Sequence, residues 1–277
     1  MSNGTSTATI RLGAIGLGWI GLQRLLRVRD TALPGGSLDI VSLCDCSDEA
    51  LHIACEAMPQ AWACQDLEEM LSFDLDGILI ATPSALHAAQ AQRCLEAGTA
   101  VFCQKPLARD ASEARQVIDA ARLNDRLLGV DFSYRHLRAS EQLKTAIQSG
   151  SIGTIYAMDL IFHNAYGPDK EWFYDIERSG GGCMMDLGIH LFDLALWCLD
   201  FPDIANVAGR RWHQGRALAP GERTVEDYAT ATMLLADGAE CRCTTSWNMH
   251  AGRDAVIEAH VHGRDGGLSL TNIGGSF

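Results

Sequence analysis

Gly16-Leu17-Gly18-Trp19-Ile20-Gly21 sets three glycines in a G-x-G-x-x-G, directly after an apolar run at 10–15 and at the opening of an amphipathic stretch at 20–28. In that context the first glycine permits a tight turn and the second lets backbone approach a diphosphate. The third lets helix and strand pack closely. Free amides at the helix start, those of Trp19 and Ile20 among them, and the helix dipole would hold the anion. A purely structural glycine turn is the other reading, and the strand before with the helix after favours a dinucleotide. Asp45 ends the second strand-like run, 24 residues past Gly21 (45 − 21 = 24). A carboxylate there can accept hydrogen bonds from the adenosine ribose, and it would repel a 2′-phosphate. No Arg or Lys follows within several residues to receive one, so NAD is expected over NADP. A loop aspartate that caps the next helix is the alternative.

Two further places could handle a proton. Lys105 lies in Cys103-Gln104-Lys105-Pro106-Leu107, after the strand-like run 99–103, at the carboxyl edge where doubly wound sheets bind ligands. It could hydrogen-bond a substrate hydroxyl and favour its deprotonation, and an exposed loop lysine fits the spacing equally well. Asp186 and His190 are four apart in a helix-like stretch, so they share a face, and Asp193 extends the stripe. Imidazole titrates near neutrality and suits proton exchange with an alcohol. The neighbours Met184, Met185, Leu187, Ile189 and Leu191 are apolar, which argues that these polar groups are buried for a purpose. The glycines at 180–182 would allow backbone to approach a ligand. A metal held by Asp186, His190 and Asp193 is not expected, since no further ligand cluster accompanies them.

The elements that must carry these residues are of two kinds. Through 132 the chain alternates strand-like runs (10–15, 38–44, 77–81, 99–103, 127–132) with helix-like ones (20–28, 48–57, 66–71, 86–97, 110–124). Near-continuous apolar strands in that alternation imply a doubly wound α/β domain with a parallel sheet covered on both faces. Beyond it, helix-like 141–148 and 183–198 are joined by strand-like 152–162, 204–212, 228–235, 240–247 and 256–261, with a hairpin signal at Asp237-Gly238. Successive strands without helices between them imply an α+β domain with a mostly antiparallel open sheet. The expected domains are 1–131 and 132–277.

Composition bounds the partners. The 277 residues are 47% hydrophobic and 21% charged, those of an ordinary globular chain that can bury a core. The formal charge of −13 argues against nucleic acid and anionic membrane, which need basic patches. No run of 18 apolar residues exists to span a bilayer. None of the 10 cysteines forms a C-x-x-C, so most are expected to be packing residues in a reducing cytosol. Residues 1–9 lack the charged and apolar regions of a signal peptide, so the expected compartment is the cytoplasm.

Taken together, the pattern resembles the Gfo/Idh/MocA oxidoreductases across nearly the whole chain. It is carried by GLGWIG, Asp45, TPSALH at 82–87, QKPLA at 104–108, GVDFSYRHLRASEQLKTAIQSGSIGTI at 129–155, SGGGCMMDLGIHLFDLALW at 179–197 and VEDYATATMLLADG at 225–238. The resemblance implies a cofactor cradle from Gly16, Gly18, Trp19, Ile20 and Gly21, with Asp45 at the ribose. Thr82, Pro83, Ser84 and His87 match the loop lying along the cofactor toward the nicotinamide, and Gln104 and Lys105 match the loop beside it. Lys105, Asp186 and His190 match the family's catalytic trio. The substrate loses a proton to the histidine while hydride goes to the nicotinamide, the lysine hydrogen-bonds the reacting oxygen, and the aspartate positions substrate or histidine. The implied substrates are sugars, cyclitols and related polyols; Tyr134, Arg135, Trp172 and Tyr174 are candidates to line their pocket. The resemblance also implies association of copies through the second sheet.

The chain departs from the family at two points. Gln104 stands where glutamate usually precedes the Lys-Pro, and the chain stops at Phe277, short of the family's usual extent. Those departures keep a second reading open, a non-catalytic NAD-binding sensor on the same fold. An enzyme running mainly as a carbonyl reductase is a third.

Overall fold

The computed structural model describes residues 8–274. Residues 1–7, part of the polar stretch read for a signal peptide, lie outside them. The chain divides into two compact units after Asp131. The first runs β1 (Ala8–Ile15), α1 (Trp19–Arg29), β2 (Gly36–Cys44), α2 (Asp48–Ala57), β3 (Trp62–Cys64), α3 (Leu67–Leu71), β4 (Gly77–Ile80), α4 (Ser84–Glu96), β5 (Ala100–Cys103), α5 (Ala111–Leu123) and β6 (Leu128–Val130). Its strands form one parallel sheet in the order β3-β2-β1-β4-β5-β6. The order reverses between β1 and β4, and at such a switch point the loops leaving the strands' carboxyl ends diverge to open a crevice.

Strand alternation divides this unit's core in two. Ala14, Leu43 and Leu79 pack with Leu25 and Ala54, whereas Ile15, Ile78 and Ile80 pack with Leu95, Val101 and Val117. Each set fills one face of the sheet. Three of its helices, α2, α3 and α5, begin where short polar side chains accept free amides. Ser47 Oγ accepts from Ala50 N at 3.3 Å, Asp66 from Glu69 N at 2.9 Å, and Asp110 from Ser112 N and Glu113 N at 2.7 and 2.9 Å.

The second unit runs α6 (Arg138–Gln148), β7 (Ile155–Asn164), α7 (Ile176–Ser179), a π-helical turn (Met184–Gly188), α8 (Ile189–Cys198), β8 (Ile204–His213), β9 (Arg216–Ala217), β10 (Tyr228–Leu235), β11 (Glu240–Ser246), β12 (Ala255–Gly263) and β13 (Gly266–Thr271). Its sheet has the order β13-β12-β7-β11-β10-β8-β9. All pairs are antiparallel except β7 with β11. On one face Met158, Leu160, Cys241, Cys243, Ala259 and Val261 pack against Leu187, Leu191, Leu194 and Ala195 from the helical segment. The opposite face is polar, with Arg242 and His262 both on Asp159 at 2.7 and 3.0 Å.

Several features differ from expectation, the short α7 and β9 among them. β3 is added at the sheet edge, and β13 closes a hairpin on β12. The stretch 183–198 is a π turn followed by an α-helix instead of one helix. All ten cysteines are free thiols, eight of them buried. Among the described residues no helix is long and apolar enough to cross a membrane.

Candidate active site

Four loops at the carboxyl ends of β1, β2, β4 and β5 carry the first unit's candidates. Gly16 takes φ +84°, and a Cβ there would lie 2.4 Å from the backbone of Ala81 and Thr82. A Cβ on Gly21 would lie 1.9 Å from the Gly16 carbonyl oxygen. At Gly18 a Cβ would meet nothing within 4 Å. Two of the glycines are therefore required by the protein's own packing, and the middle one faces open space where a diphosphate needs bare backbone. Gly18 caps α1 without a side-chain hydrogen bond, and no acidic residue stands in its first turn, so the helix start, with Trp19 and Ile20, is fit for an anion. The residues present thus fit a dinucleotide.

Asp45 does more than the sequence suggests. Its carboxylate accepts from Leu17 N at 2.5 Å and from Ser47 N at 2.7 Å. It fastens the glycine loop to the end of β2, and a carboxylate has lone pairs left for a ribose hydroxyl.

After β4, Thr82 Oγ1 donates to Gln90 Oε1 at 2.6 Å, Pro83 precedes α4, and Ser84 is buried at its first position. His87 is 1% exposed. Its Nδ1 lies 2.7 Å from the Pro106 carbonyl and its Nε2 2.6 Å from that of Thr82, and the neutral ring, with one N–H, donates to one of the two. Burial holds its pKa below the ordinary imidazole value; the two carbonyls oppose the shift and the Lys105 charge adds to it. Gln104 is buried and donates its amide to Asp131, which also accepts from Arg24 Nε at 2.5 Å. A glutamate at 104 would set a second carboxylate against Asp131; the neutral amide suits this neighbour. Lys105 follows, joined to Pro106 by a cis peptide.

In the second unit the π turn holds Asp186, and α8 holds His190 and Asp193. Such turns recur at functional sites because they re-aim side chains that a regular helix would stack. Asp186 Oδ2 accepts from Trp247 Nε1 at 3.1 Å. The His190 ring stacks on Tyr134 with centroids 4.5 Å apart. Burial, and then the Asp186 charge, push the Tyr134 hydroxyl pKa upward, so this ring stays neutral beside both candidates. Asp193 is spoken for otherwise. Its carboxylate takes a two-pronged contact from Arg135, with Nε to Oδ2 at 2.7 Å, and the guanidinium lies 5.2 Å from the ring centres of Phe132 and Phe201. Trp172 stacks on Phe173 at 3.8 Å, and Tyr174 meets Trp247 edge-on at 5.7 Å.

Glu226 carries no sequence signal of its own. Buried at 2% exposure, it accepts through Oε1 from Gly182 N at 3.0 Å and Met184 N at 3.2 Å. Its carbonyl accepts from Cys183 N at 3.1 Å. A Cβ on Gly182 would lie 1.9 Å from that carbonyl oxygen, so this glycine is there for the Glu226 backbone, whereas the sequence suggested a ligand. Gly180 takes φ +81° to end α7. Among the described residues no three His, Cys, Asp or Glu side chains gather as metal ligands.

Comparison with known proteins follows this division. Residues 10–132 match the model of the oxidoreductase family with an NAD-binding Rossmann fold, and 140–269 match the GFO/IDH/MocA C-terminal domain. D-glucoside 3-dehydrogenase of Escherichia coli is 27% identical over 244 residues, covering 84% of this chain and 70% of that protein. Inositol 2-dehydrogenase of Rhizobium meliloti is 28% identical over 269 residues, covering 95% and 76%. The structure of GenD2 from gentamicin A biosynthesis, in complex with NAD, superposes with a TM-score of 0.85 at 25% identity, covering 96% of this chain and 73% of that one. Both halves of the chain match the two domain models in order, on a 3-2-1-4-5-6 parallel sheet with an open glycine loop, and the protein belongs to the Gfo/Idh/MocA family of NAD-binding oxidoreductases.

Proposed function

We propose that the protein is an NAD-dependent dehydrogenase acting on a secondary alcohol of a sugar, cyclitol or related polyol. The observation that carries the proposal is the glycine loop, sealed at Gly16 and Gly21 and open at Gly18, in a chain whose relatives are named as dehydrogenases of such compounds. The bound cofactor supplies the hydride acceptor. His190, its ring plane set by the stack on Tyr134, takes the hydroxyl proton as the C–H bond gives up its hydride. Lys105 hydrogen-bonds the reacting oxygen and offsets the negative charge that develops on it. Asp186, held by the Trp247 indole N–H, orients the substrate or the imidazole. NAD is preferred over NADP because Asp45 would meet a 2′-phosphate with like charge. Copies associate through the polar face of the second sheet. The enzyme works in the cytoplasm. No observation favours the sensor reading. Cofactor reduction across a panel of cyclitols and aldoses tests the proposal, and a catalyst of this class reduces NAD with at least one of them.

A further inference from the structure

Position 104 carries an amide, and the acid it meets stands at 131. Both side chains are buried, so both must find their partners within the protein. Gln104 Nε2 donates to Asp131 Oδ2, and Arg24 Nε, from α1, donates to the same oxygen at 2.5 Å. The backbone is fixed alongside. The Gln104 N–H donates to the Ile80 carbonyl at 2.8 Å, and the Asp131 N–H donates to the Cys103 carbonyl at 2.9 Å. Gln104 directly follows β5 and Asp131 directly follows β6, its neighbour in the sheet. A buried carboxylate needs compensation, supplied here by one guanidinium and one amide. The pair has a polarity: the donor stands at 104 and the acceptor at 131, and a carboxylate at both would meet like charge.

We infer that Asp131 is a positioning residue for Lys105, acting through the Gln104 side chain, so that the acid of this loop stands at 131 and not at 104. The inference rests on the proposed role of Lys105. A lysine stem is flexible, so a well-placed ammonium needs a fixed backbone beneath it. The bond to Ile80 holds Gln104 at one atom, and the bond to Asp131 adds a second point that restrains rotation about the first. Small errors in placing a reacting group cost rate steeply. Gln104 is then no sign of a lost activity, since its neighbour carries the charge.

Removing the donor and then reversing the pair tests the inference. Gln104→Met keeps the length and bulk of the side chain without its amide, and Asp131 keeps Arg24. Turnover is followed with NAD and the polyol that wild type oxidises fastest, and hydrogen–deuterium exchange reads the loop directly. Gln104→Met should speed exchange across residues 104–108 and lower kcat about tenfold, with KM for NAD within about threefold. The double variant Gln104→Glu with Asp131→Asn puts the acceptor at 104 and the donor at 131. It should raise kcat at least fivefold above that of Gln104→Met and slow the exchange again. A side chain that only fills volume would leave kcat and exchange in Gln104→Met at wild-type values, and that result overturns the inference. So does a reversed pair no faster than Gln104→Met. Should exchange respond as expected while wild type oxidises nothing in the panel, the contact stands and the proposed function fails. If either variant does not fold, nitrogen NMR of the wild-type side chain decides. Gln104 amide protons protected from solvent support the contact, and protons in rapid exchange with water contradict it.

Discussion

His190 and Asp45 show how far a residue's type determines its work. The histidine lies against Tyr134 with ring planes 18° apart, an arrangement that fixes its plane for proton transfer. His190→Asn should therefore lower kcat by roughly 10²–10⁴-fold, the usual share of general acid–base catalysis, with NAD affinity unchanged in calorimetric titration. Lost NAD binding in that variant would move His190 out of the catalytic role. Asp45 is a different case, because its carboxylate both repels a 2′-phosphate and holds the Leu17 and Ser47 amides. Asp45→Ser should then lose about 1–2 kcal/mol of stability in urea unfolding and weaken NAD as well as narrowing its lead over NADP. A variant that binds NADP well at full stability would show that the amide contacts matter little. The glycine loop and this aspartate were legible because strand, turn and helix follow each other within a short stretch. The Leu17 contact was not, since it joins residues 28 apart in sequence.

The elements that hold Asp186 and His190 depend on contacts far apart in the chain. Glu226 reaches Gly182 from 44 residues away, and Trp247 reaches Asp186 from 61. One of two adjacent acids in a Val-Glu-Asp-Tyr stretch gives no local pattern, so composition and periodicity pass over it. The π turn was hidden for another reason: the apolar run from Cys183 to Cys198 suits π and α geometry alike. β3 was hidden by its length of three residues and its exposed Trp62. By contrast α2, β10 and the Asp237-Gly238 hairpin carry their full signal locally, in a Ser cap, strand alternation and a tight turn. Glu226→Ala should cost about 2–4 kcal/mol, because it strands two buried amides, and Glu226→Gln should recover most of that with its remaining carbonyl oxygen. Equal unfolding midpoints for the two variants would contradict the capping role. Asp193→Asn belongs to the same scale. It leaves Arg135 without its charge partner and should cost about 2–3 kcal/mol, discounted for the partial exposure of that arginine, while turnover stays within a few-fold.

At the scale of the whole molecule, the buried imidazoles should contribute to the loss of stability in acid. Burial holds His87 and His163 below the ordinary imidazole value, against the two carbonyls at the first and the Glu258 charge at the second. The unfolded chain takes up protons at both below about pH 6.5, and the folded chain does so only at lower pH. Their contribution to stability is therefore full above about pH 6.5 and declines as pH falls through the folded values. Replacing both with Asn should flatten that part of the urea stability curve, and an unchanged slope would assign it to other groups. The net charge of −13 disfavours approach of a polyanion to this surface. The central claim, that a dinucleotide bound at the open glycine loop takes hydride from a polyol, meets its most direct test in one assay. Purified wild type and His190→Asn are mixed with NAD and a cyclitol and aldose panel, and reduced nicotinamide is followed by absorbance. The predicted result is reduction by wild type with at least one polyol, lost in the variant although it still binds NAD. Wild type that binds NAD and reduces it with none of them, or a His190→Asn variant as fast as wild type, would contradict it.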